Sequence, residues 1–484
     1  MNITSFEFAL FFAAILPLNW ILRRFAGPYR LFLLVASYVF YASFNAKFLL
    51  ILLVFSFLTW FFAVVFAETS DIRFRRFCLI LYAAFSLGML VFFKYYEMLY
   101  ISADWVFRLF SAGNPVPLLD VIMPIGISFF TFQGMSYAID VYRDPAKVER
   151  SLVEVFCFIA FFPTILSGPI LRAGNFLPQL KKARVERVDF TRAFYLLTRG
   201  LLKKIIISSY LSEHIVRTTF GAPEGFSSAA VLVGVLSYAA QIYCDFSGYS
   251  DLAQGVALLM GFDVPDNFNL PYSSRSLRDF WRRWHITFSL WLRDYLYISL
   301  GGNRKGRVRK YLNLVTTMAL GGLWHGAAYN FLIWGFIHGF GLVANHLVVE
   351  FRAARAAARA AKGLVPAAGG FGAAVWSGAC WLTTFSYVCV AWVFFGAEDA
   401  GKAVDVLSRI AALDPTGAGF RPACLILVVL VVAMQLANFT GKDAFRKGFE
   451  WLPFPLQGAA LGLVAACILK LGPDGVLPFI YFQF

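Results

Sequence analysis

The chain alternates between long apolar runs and short polar or basic stretches from one end to the other. An apolar run of about 20 residues can cross the ~30 Å hydrocarbon core of a membrane as an α-helix. The pattern therefore predicts an all-α polytopic membrane protein with about 11 transmembrane helices. The predicted spans are 6–22, 31–44, 48–67, 77–97, 119–141, 152–171, 227–244, 246–262, 311–320 continuing into 323–347, 374–396, 422–438 and 455–471.

One of these segments does not fit a simple crossing. If 152–171 crossed the membrane, the basic stretch from Arg172 to Arg192 would lie outside, against the preference of Lys and Arg for cytoplasmic loops. The segment contains Pro163 and the turn Ser167-Gly168-Pro169, so we predict a re-entrant hairpin. Non-helical backbone at that depth is tolerated only where it is buried in protein or lines a cavity.

Composition supports the membrane interpretation. Hydrophobic residues make up 60% of the chain and charged residues 15%, against about 25% charged in soluble proteins. The net charge of +15 lies mostly between apolar spans, so cytoplasmic loops explain it better than nucleic-acid binding. The scattered cysteines include no CxxC pair and predict neither a zinc site nor a disulfide framework. With no internal repeat and no long linker, we predict one integral-membrane domain over 1–484.

The stretch FRAARAAARAAKG, residues 351–363, predicts an interfacial helix. Arg352, Arg355, Arg359 and Lys362 fall on one helical face among alanines, where they would contact anionic headgroups.

The apolar stretch GGLWHGAAYNFLIWGFIHG, residues 321–339, carries His325 and His338. On one continuous helix these residues would be about 20 Å apart on roughly opposite faces, so they would not share one centre. A single helix over 311–347 would be too long for one crossing, and we predict a break at Gly321-Gly322. His325 would then lie in the first turn of a new helix, whose positive end keeps the imidazole neutral. His325 is the stronger catalytic candidate of the two; the alternative is a structural histidine at a helix interface.

A second cluster lies in residues 276–306, where arginines alternate with tryptophans and tyrosines around His285. The segment is too charged for an ordinary span and too aromatic for a free loop. It suits an insertion into a cavity from the cytoplasmic interface, with arginines available for phosphate or carboxylate. The alternative is an interfacial belt.

A third cluster, QIYCDFSGYSDLAQG at 241–255, contains Asp245 and Asp251. Structural hydrogen bonding between helices and a role in lining a cavity both remain open for them. The chain has no GxSxG, HExxH, GxxxxGK or GxGxxG motif, so serine hydrolase, metalloprotease, NTPase and dinucleotide-binding interpretations lack support.

With these residues in view, the sequence resembles the membrane-bound O-acyltransferase family. The resemblance is greatest to the bacterial branch of alginate O-acetylation proteins (AlgI-like), with its cellulose- and peptidoglycan-acetylating relatives. The matching stretches are YCDFSGYSD at 243–251, DFWRRWHITFSLWLRDYLYISLGGNRKG at 279–306, GLWHG with WGFIHG at 322–339 and FIYFQF at 479–484. Two departures are Ser299, where the family pattern has Pro, and Tyr329, where it often has Trp.

The resemblance implies a ring of transmembrane helices around a tunnel, with re-entrant and interfacial helices. It also implies a cytoplasmic acyl-thioester donor, acetyl-CoA, and no permanently bound cofactor or metal. The family's acting histidine falls on His325 and its second histidine on His285. His325 would be the general base or form an acyl-histidine, and His285 or an adjacent arginine would stabilise the thioester carbonyl. The candidate donor- and substrate-binding residues are Arg282, Arg283, Trp324, Trp281, Asp245 and Asn330.

The same resemblance implies a bacterial inner-membrane, multi-pass O-acetyltransferase that serves an extracytoplasmic polysaccharide, alginate or a relative such as cellulose. The expected partners are membrane lipids, the polysaccharide and a soluble SGNH-hydrolase-like acetyltransferase outside the cytoplasm, with no nucleic acid. The competing interpretation is a polytopic transporter or a non-catalytic component of a polysaccharide secretion complex, since intramembrane His and Asp also form proton relays. The absence of paired repeats argues against a transporter.

Overall fold

The structure is a computed structural model that describes residues 1–111, 113–182, 188–362, 371–439 and 441–471. Within these ranges the regular structure is helical and no strand is present, which confirms the all-α prediction. The matching stretch FIYFQF lies outside the described residues. The described chain falls into two compact units, one made of 1–201 with 249–266 and one made of 202–248 with residues from 267 onward. The single domain over 1–484 stays a prediction.

The first unit contains α1 to α8 and the last turns of α11, and the second contains the other helices. The α-helices are α1 Phe6–Leu22, α2 Ala26–Ala42, α3 Ala46–Glu68, α4 Ile72–Leu109, α5 Ile127–Arg143, α6 Leu152–Ala160, α7 Ala173–Lys181, α8 Phe190–Leu201, α9 Ser209–Leu211, α10 Arg217–Gly221, α11 Ser228–Leu259, α12 Leu277–Arg283, α13 Ile286–Trp291, α14 Gly306–His325, α15 Tyr329–Ala360, α16 Phe371–Gly396, α17 Ala400–Ala411, α18 Pro422–Leu436, α19 Lys442–Trp451 and α20 Phe454–Leu471. Short 3₁₀ turns cover Pro145–Lys147, Pro223–Gly225 and Pro271–Ser273, and π-helical turns cover Leu202–Ser208, Ser212–Val216 and Leu292–Tyr297.

Five of the described helices, α3, α4, α11, α15 and α16, are long and apolar enough to cross a membrane, and α1 and α18 are shorter apolar helices. The protein is therefore a membrane protein. The segment 152–171 is helical only as far as Ala160 and continues as buried, irregular chain through Pro163 and Gly168. A helix of nine residues spans about 14 Å, so this segment is not a crossing helix, as predicted.

Helix α4 extends to Leu109, beyond the predicted 77–97, and α5 begins at Ile127 and not at 119. Three further errors concern how the helices are joined. The spans predicted at 227–244 and 246–262 form one helix, α11, because Asp245 is neutralised by Lys204 and does not end it. The interfacial stretch from 351 is the exposed continuation of α15 as far as Ala360; Gly363 lies outside the described residues. The third error is the position of the break after α14.

The chain breaks at Gly326–Ala328 and not at Gly321-Gly322, because the two glycines serve close packing. A Cβ at Gly322 would collide with the carbonyl oxygen of Phe331, and one at Gly335 would lie 2.5 Å from that of Met318. Helices α14 and α15 therefore form a hairpin whose backbones touch.

Replacing Gly335 with Ala should destabilise this hairpin, since the new methyl would meet backbone that cannot move aside. Overpacking of this kind costs about 1–3 kcal/mol, which should lower the melting temperature of the purified protein in detergent. Gly88→Ala in α4 is the control, because its Cβ meets nothing within 4 Å. Equal melting temperatures for the two variants would contradict the packing argument.

Candidate active site

His285 lies between α12 and α13, fully buried and with a left-handed backbone (φ 42°). Such a conformation is strained in a non-glycine residue and persists only when its surroundings enforce it. The neighbouring segment does so through backbone hydrogen bonds: Ile286 N–H donates to the Asn267 carbonyl at 2.9 Å, and Asn269 N–H donates to that of Arg283 at 2.9 Å. The strain therefore marks a position where the direction of one imidazole is controlled.

Asn267 also determines which nitrogen of His285 carries the proton. Its Oδ1 accepts from Thr287 N–H at 3.2 Å and from Thr287 Oγ1 at 2.9 Å, and it lies 3.1 Å from His285 Nδ1. Because Oδ1 is an acceptor, Nδ1 is the donor, and the neutral ring keeps its lone pair on Nε2. That Nε2 has no hydrogen-bond partner among the described residues.

Burial lowers the pKa of His285, which lies outside the five membrane-crossing helices. The ring is therefore neutral at pH 7, and Nε2 is available to accept a proton or a hydrogen bond.

His325 is the last residue of α14, and it is 3% exposed. The prediction that His325 lies in the first turn of a new helix was wrong, because α14 continues through Gly321-Gly322 and ends at His325. Four aromatic rings surround the imidazole at centroid distances of 5.0 to 5.2 Å: Trp324, Phe288, Trp334 and Phe395.

His338 joins the same cluster. The Trp334 ring lies 5.0 Å from that of His325 and 4.7 Å from that of His338. The predicted separation assumed one continuous helix, and it was wrong because the turn at 326–328 lets α15 fold back along α14. His338 Nδ1 accepts from Trp281 Nε1–H at 3.3 Å, so its own proton is on Nε2.

The three histidines are thus linked through shared aromatic neighbours. The Phe288 ring lies between two imidazoles. Its centroid is 4.9 Å from that of His285 and 5.2 Å from that of His325. The rings of Trp324 and Phe288 lie 4.5 Å apart between centroids, tilted by 31°. The result is a buried, mostly apolar cluster of three imidazoles, of which His285 and His338 have defined tautomers.

The other predicted site residues divide into two groups. Trp324 and Trp281 belong to the aromatic cluster, and Asn330 is buried at the start of α15, where its side chain donates to the Ala397 carbonyl at 2.9 Å. Arg282 is exposed on α12, and Arg283 pairs with Asp279 at 3.0 Å.

Asp245 forms a buried ion pair with Lys204 at 2.5 Å, outside the aromatic cluster. Asp251 accepts from Arg199 Nε at 2.7 Å. Of the two interpretations left open by the sequence, these contacts favour structural bonding between helical segments.

Sequence reasoning missed Asn267, Trp334 and Phe395. Asn267 had one usable signal, an amide side chain within the largely apolar stretch FDVPDNFNLPY. Trp334 opens the matching stretch WGFIHG, whereas Phe395 had no signal, because aromatic residues occur throughout this chain.

Comparison with known proteins identifies the family. A profile of the membrane-bound O-acyltransferase family matches residues 36–383. The chain is 38% identical to the probable alginate O-acetylase of Pseudomonas aeruginosa and 35% identical to that of Pseudomonas putida, in each case over 94% of both chains. It is 32% identical to the peptidoglycan O-acetyltransferase of Helicobacter pylori, over 84% of this chain and 80% of that protein.

The chain belongs to the membrane-bound O-acyltransferase family. The predicted resemblance is confirmed, and the protein is a membrane acyltransferase. Family membership decides against the transporter and the non-catalytic component. The roles of the individual site residues stay predictions.

Asn267→Ala should reduce acyl transfer about tenfold or more, because it leaves the buried Nδ1–H of His285 without an acceptor, at about 1–3 kcal/mol. Asn267→Asp keeps the acceptor and should retain more activity. Its carboxylate would raise the pKa of His285, so the acidic limb of the pH–rate profile should move to higher pH.

The control is Asn345→Ala, which removes an acceptor for the Arg278 backbone N–H in the first turn of α12 and leaves the contact between Asn267 and His285 in place. An unchanged pH profile in the Asn267→Asp variant would rule out a positioning role for Asn267.

Proposed function

We propose that this protein moves an acetyl group from cytoplasmic acetyl-CoA toward the outside of the bacterial inner membrane, for O-acetylation of an extracytoplasmic polysaccharide. Alginate, or a related polymer such as cellulose, is the proposed acceptor. The names of the relatives support acetyl transfer to cell-surface polymers. The observation that carries the proposal is the buried cluster in which His285 has an unprotonated Nε2 and shares the ring neighbour Phe288 with the family histidine, His325.

The proposed chemistry is attack of a hydroxyl on a thioester. His325 takes the hydroxyl proton as the oxygen bonds to the thioester carbonyl carbon, the carbon–sulfur bond breaks, and the proton passes to the leaving thiolate. General-base catalysis of this kind contributes about 10²- to 10⁴-fold. An acyl-histidine at the same residue would divide the transfer into two steps, and both routes remain open.

The tautomer of His285 changes the role expected from sequence. Its Nδ1–H is committed to Asn267, so in the neutral ring Nε2 can accept but not donate. His285 would therefore hold the attacking hydroxyl, and another group must stabilise the thioester carbonyl.

Trp334 is the proposed donor to that carbonyl. Its indole N–H is buried, has no hydrogen-bond partner among the described residues, and belongs to a ring 5.0 Å from that of His325. A preorganised N–H group in a site without water is effective against developing negative charge.

In the proposed arrangement, about 11 transmembrane helices form a ring around a tunnel that brings the donor to His325. Arg282 and Arg283 would bind the phosphates of acetyl-CoA, since guanidinium groups pair well with phosphate. An extracytoplasmic SGNH-hydrolase-like acetyltransferase would pass the acetyl group to the polymer.

His325→Ala should leave the protein in the membrane and abolish transfer from radiolabelled acetyl-CoA, measured as thiol release by purified protein and as polymer acetyl esters in cells. The expected loss is about 10²-fold or more. His346→Ala, a half-buried histidine farther along α15, should keep full activity. Normal acetylation in the His325→Ala variant would end the assignment.

Trp334→Phe keeps an aromatic ring and removes the indole N–H. If that group stabilises the carbonyl, kcat should fall about 10²-fold with little change in KM. Trp392→Phe is the matched control, because Trp392 stacks on Trp334 at 5.9 Å within the same cluster. Equal effects of the two substitutions would assign Trp334 a packing role only.

A further inference from the structure

A cavity of about 570 Å³ lies in the second unit and is not lined by any of the three clustered histidines. It is formed by the turn before α12, by Asp279 and Arg283 of α12, by the first half of α16 and by the end of α18. Cavities of about 300–1,000 Å³ are typical of sites for small molecules. Its lining is mostly polar, which is unusual beside apolar membrane helices and points to a polar ligand.

The cavity carries an unneutralised positive charge. Arg283 lines it, but its Nε is paired with Asp279 at 3.0 Å. Arg275 also lines it, and it has no ion pair or side-chain hydrogen bond within the described residues. Because Arg275 is exposed and unpaired, it can bind an anion without first breaking a contact.

A buried amide strengthens the case. Gln435, at the end of α18, is 2% exposed and lines the cavity. Its Oε1 accepts from Tyr272 N–H at 2.8 Å, which orients the carboxamide. Its Nε2 has no hydrogen-bond partner among the described residues. A buried N–H group without an acceptor is costly and indicates a missing ligand or water.

We propose that this cavity binds a phosphate ester. A guanidinium, an amide N–H and the hydroxyl of Ser377 are donors suited to phosphate oxygens, whereas the Ser273 hydroxyl is already donated to the Leu270 carbonyl at 2.7 Å. Two sources share this chemistry, the headgroup of an anionic phospholipid and the phosphates of a coenzyme A thioester. The basic, exposed end of α15 precedes α16 and suits either source, since it attracts anions to this side of the unit.

The test is a binding measurement by native mass spectrometry on the full-length protein in neutral detergent. One arm uses phosphatidylglycerol, with diacylglycerol as its phosphate-free counterpart. The other uses coenzyme A, with pantetheine as its counterpart. The wild type should bind at least one phosphate compound about tenfold more tightly than its counterpart. The arm that does so identifies the source.

Two variants locate the binding, each with a matched control. Arg275→Gln removes the free charge, and Gly378→Phe fills the cavity from a position where a Cβ meets nothing within 4 Å. Each should weaken binding about tenfold. Arg278→Gln, also exposed, and Gly372→Phe, on the same helix with equally open space, do not line the cavity and should bind as the wild type does.

The proposal is overturned if neither phosphate compound is preferred, or if Arg275→Gln and Gly378→Phe bind as tightly as their controls. The readout is binding and needs no acyl transfer. If the protein binds a phosphate compound in this cavity but transfers no acetyl group, the proposed function is contradicted and the proposed phosphate site is supported.

Discussion

The contact between α14 and α15 is made by backbone atoms, and the arrangement of the histidines depends on it. Gly322 faces the Phe331 carbonyl, and Gly335 faces the Met318 carbonyl. Both contacts are so close that a Cβ atom at either glycine would collide with the carbonyl oxygen. This approach forces the chain to turn at 326–328, directly after His325. His325 therefore ends one helix, while His338 returns beside it on the next, with Trp334 in contact with both.

The tautomer of His285, the third histidine, depends on a single oxygen atom, Asn267 Oδ1. Asn267 Oδ1 is close to three donors, and this crowding leaves no choice about which nitrogen of His285 is protonated. Reversing the tautomer would put two acceptors face to face in a buried site, where an unmade hydrogen bond costs about 1–3 kcal/mol. Asn267 thus decides which side of the His285 ring can accept a hydrogen bond.

Hydropathy predicted the helix boundaries well wherever the apolar run itself determines where the helix begins and ends. The predicted 6–22 and 48–67 match α1 and α3 within about two residues, because runs of apolar side chains reflect lipid exposure or burial directly. Hydropathy failed where the structure of a segment depends on a contact with residues distant in sequence. Gly321-Gly322 was interpreted as a break, since a glycine pair alone does not distinguish a helix end from a close helix contact. The same limit applied to the site. The predicted spans 227–244 and 246–262 leave out Asp245, whose charge interrupts the apolar run, and sequence alone does not show that Lys204, 41 positions away, neutralises it. Motifs identified His285 and His325, whereas Asn267 and Phe395 reach them only through the tertiary fold.

Under the proposed function, the aromatic cluster and the arginines would meet opposite requirements of a thioester donor. A reacting thioester must be shielded from water, and the rings around His325 and Phe288 provide a site of low polarity in which hydrogen bonds are strong. Phosphate groups cannot enter such a site without losing their hydration, so they need cations at its periphery. Arg275 and Arg283 line a separate cavity with none of the clustered histidines in its wall. In this proposed division, phosphate is held outside the histidine cluster, because permanent positive charge beside an imidazole would oppose its taking up a proton.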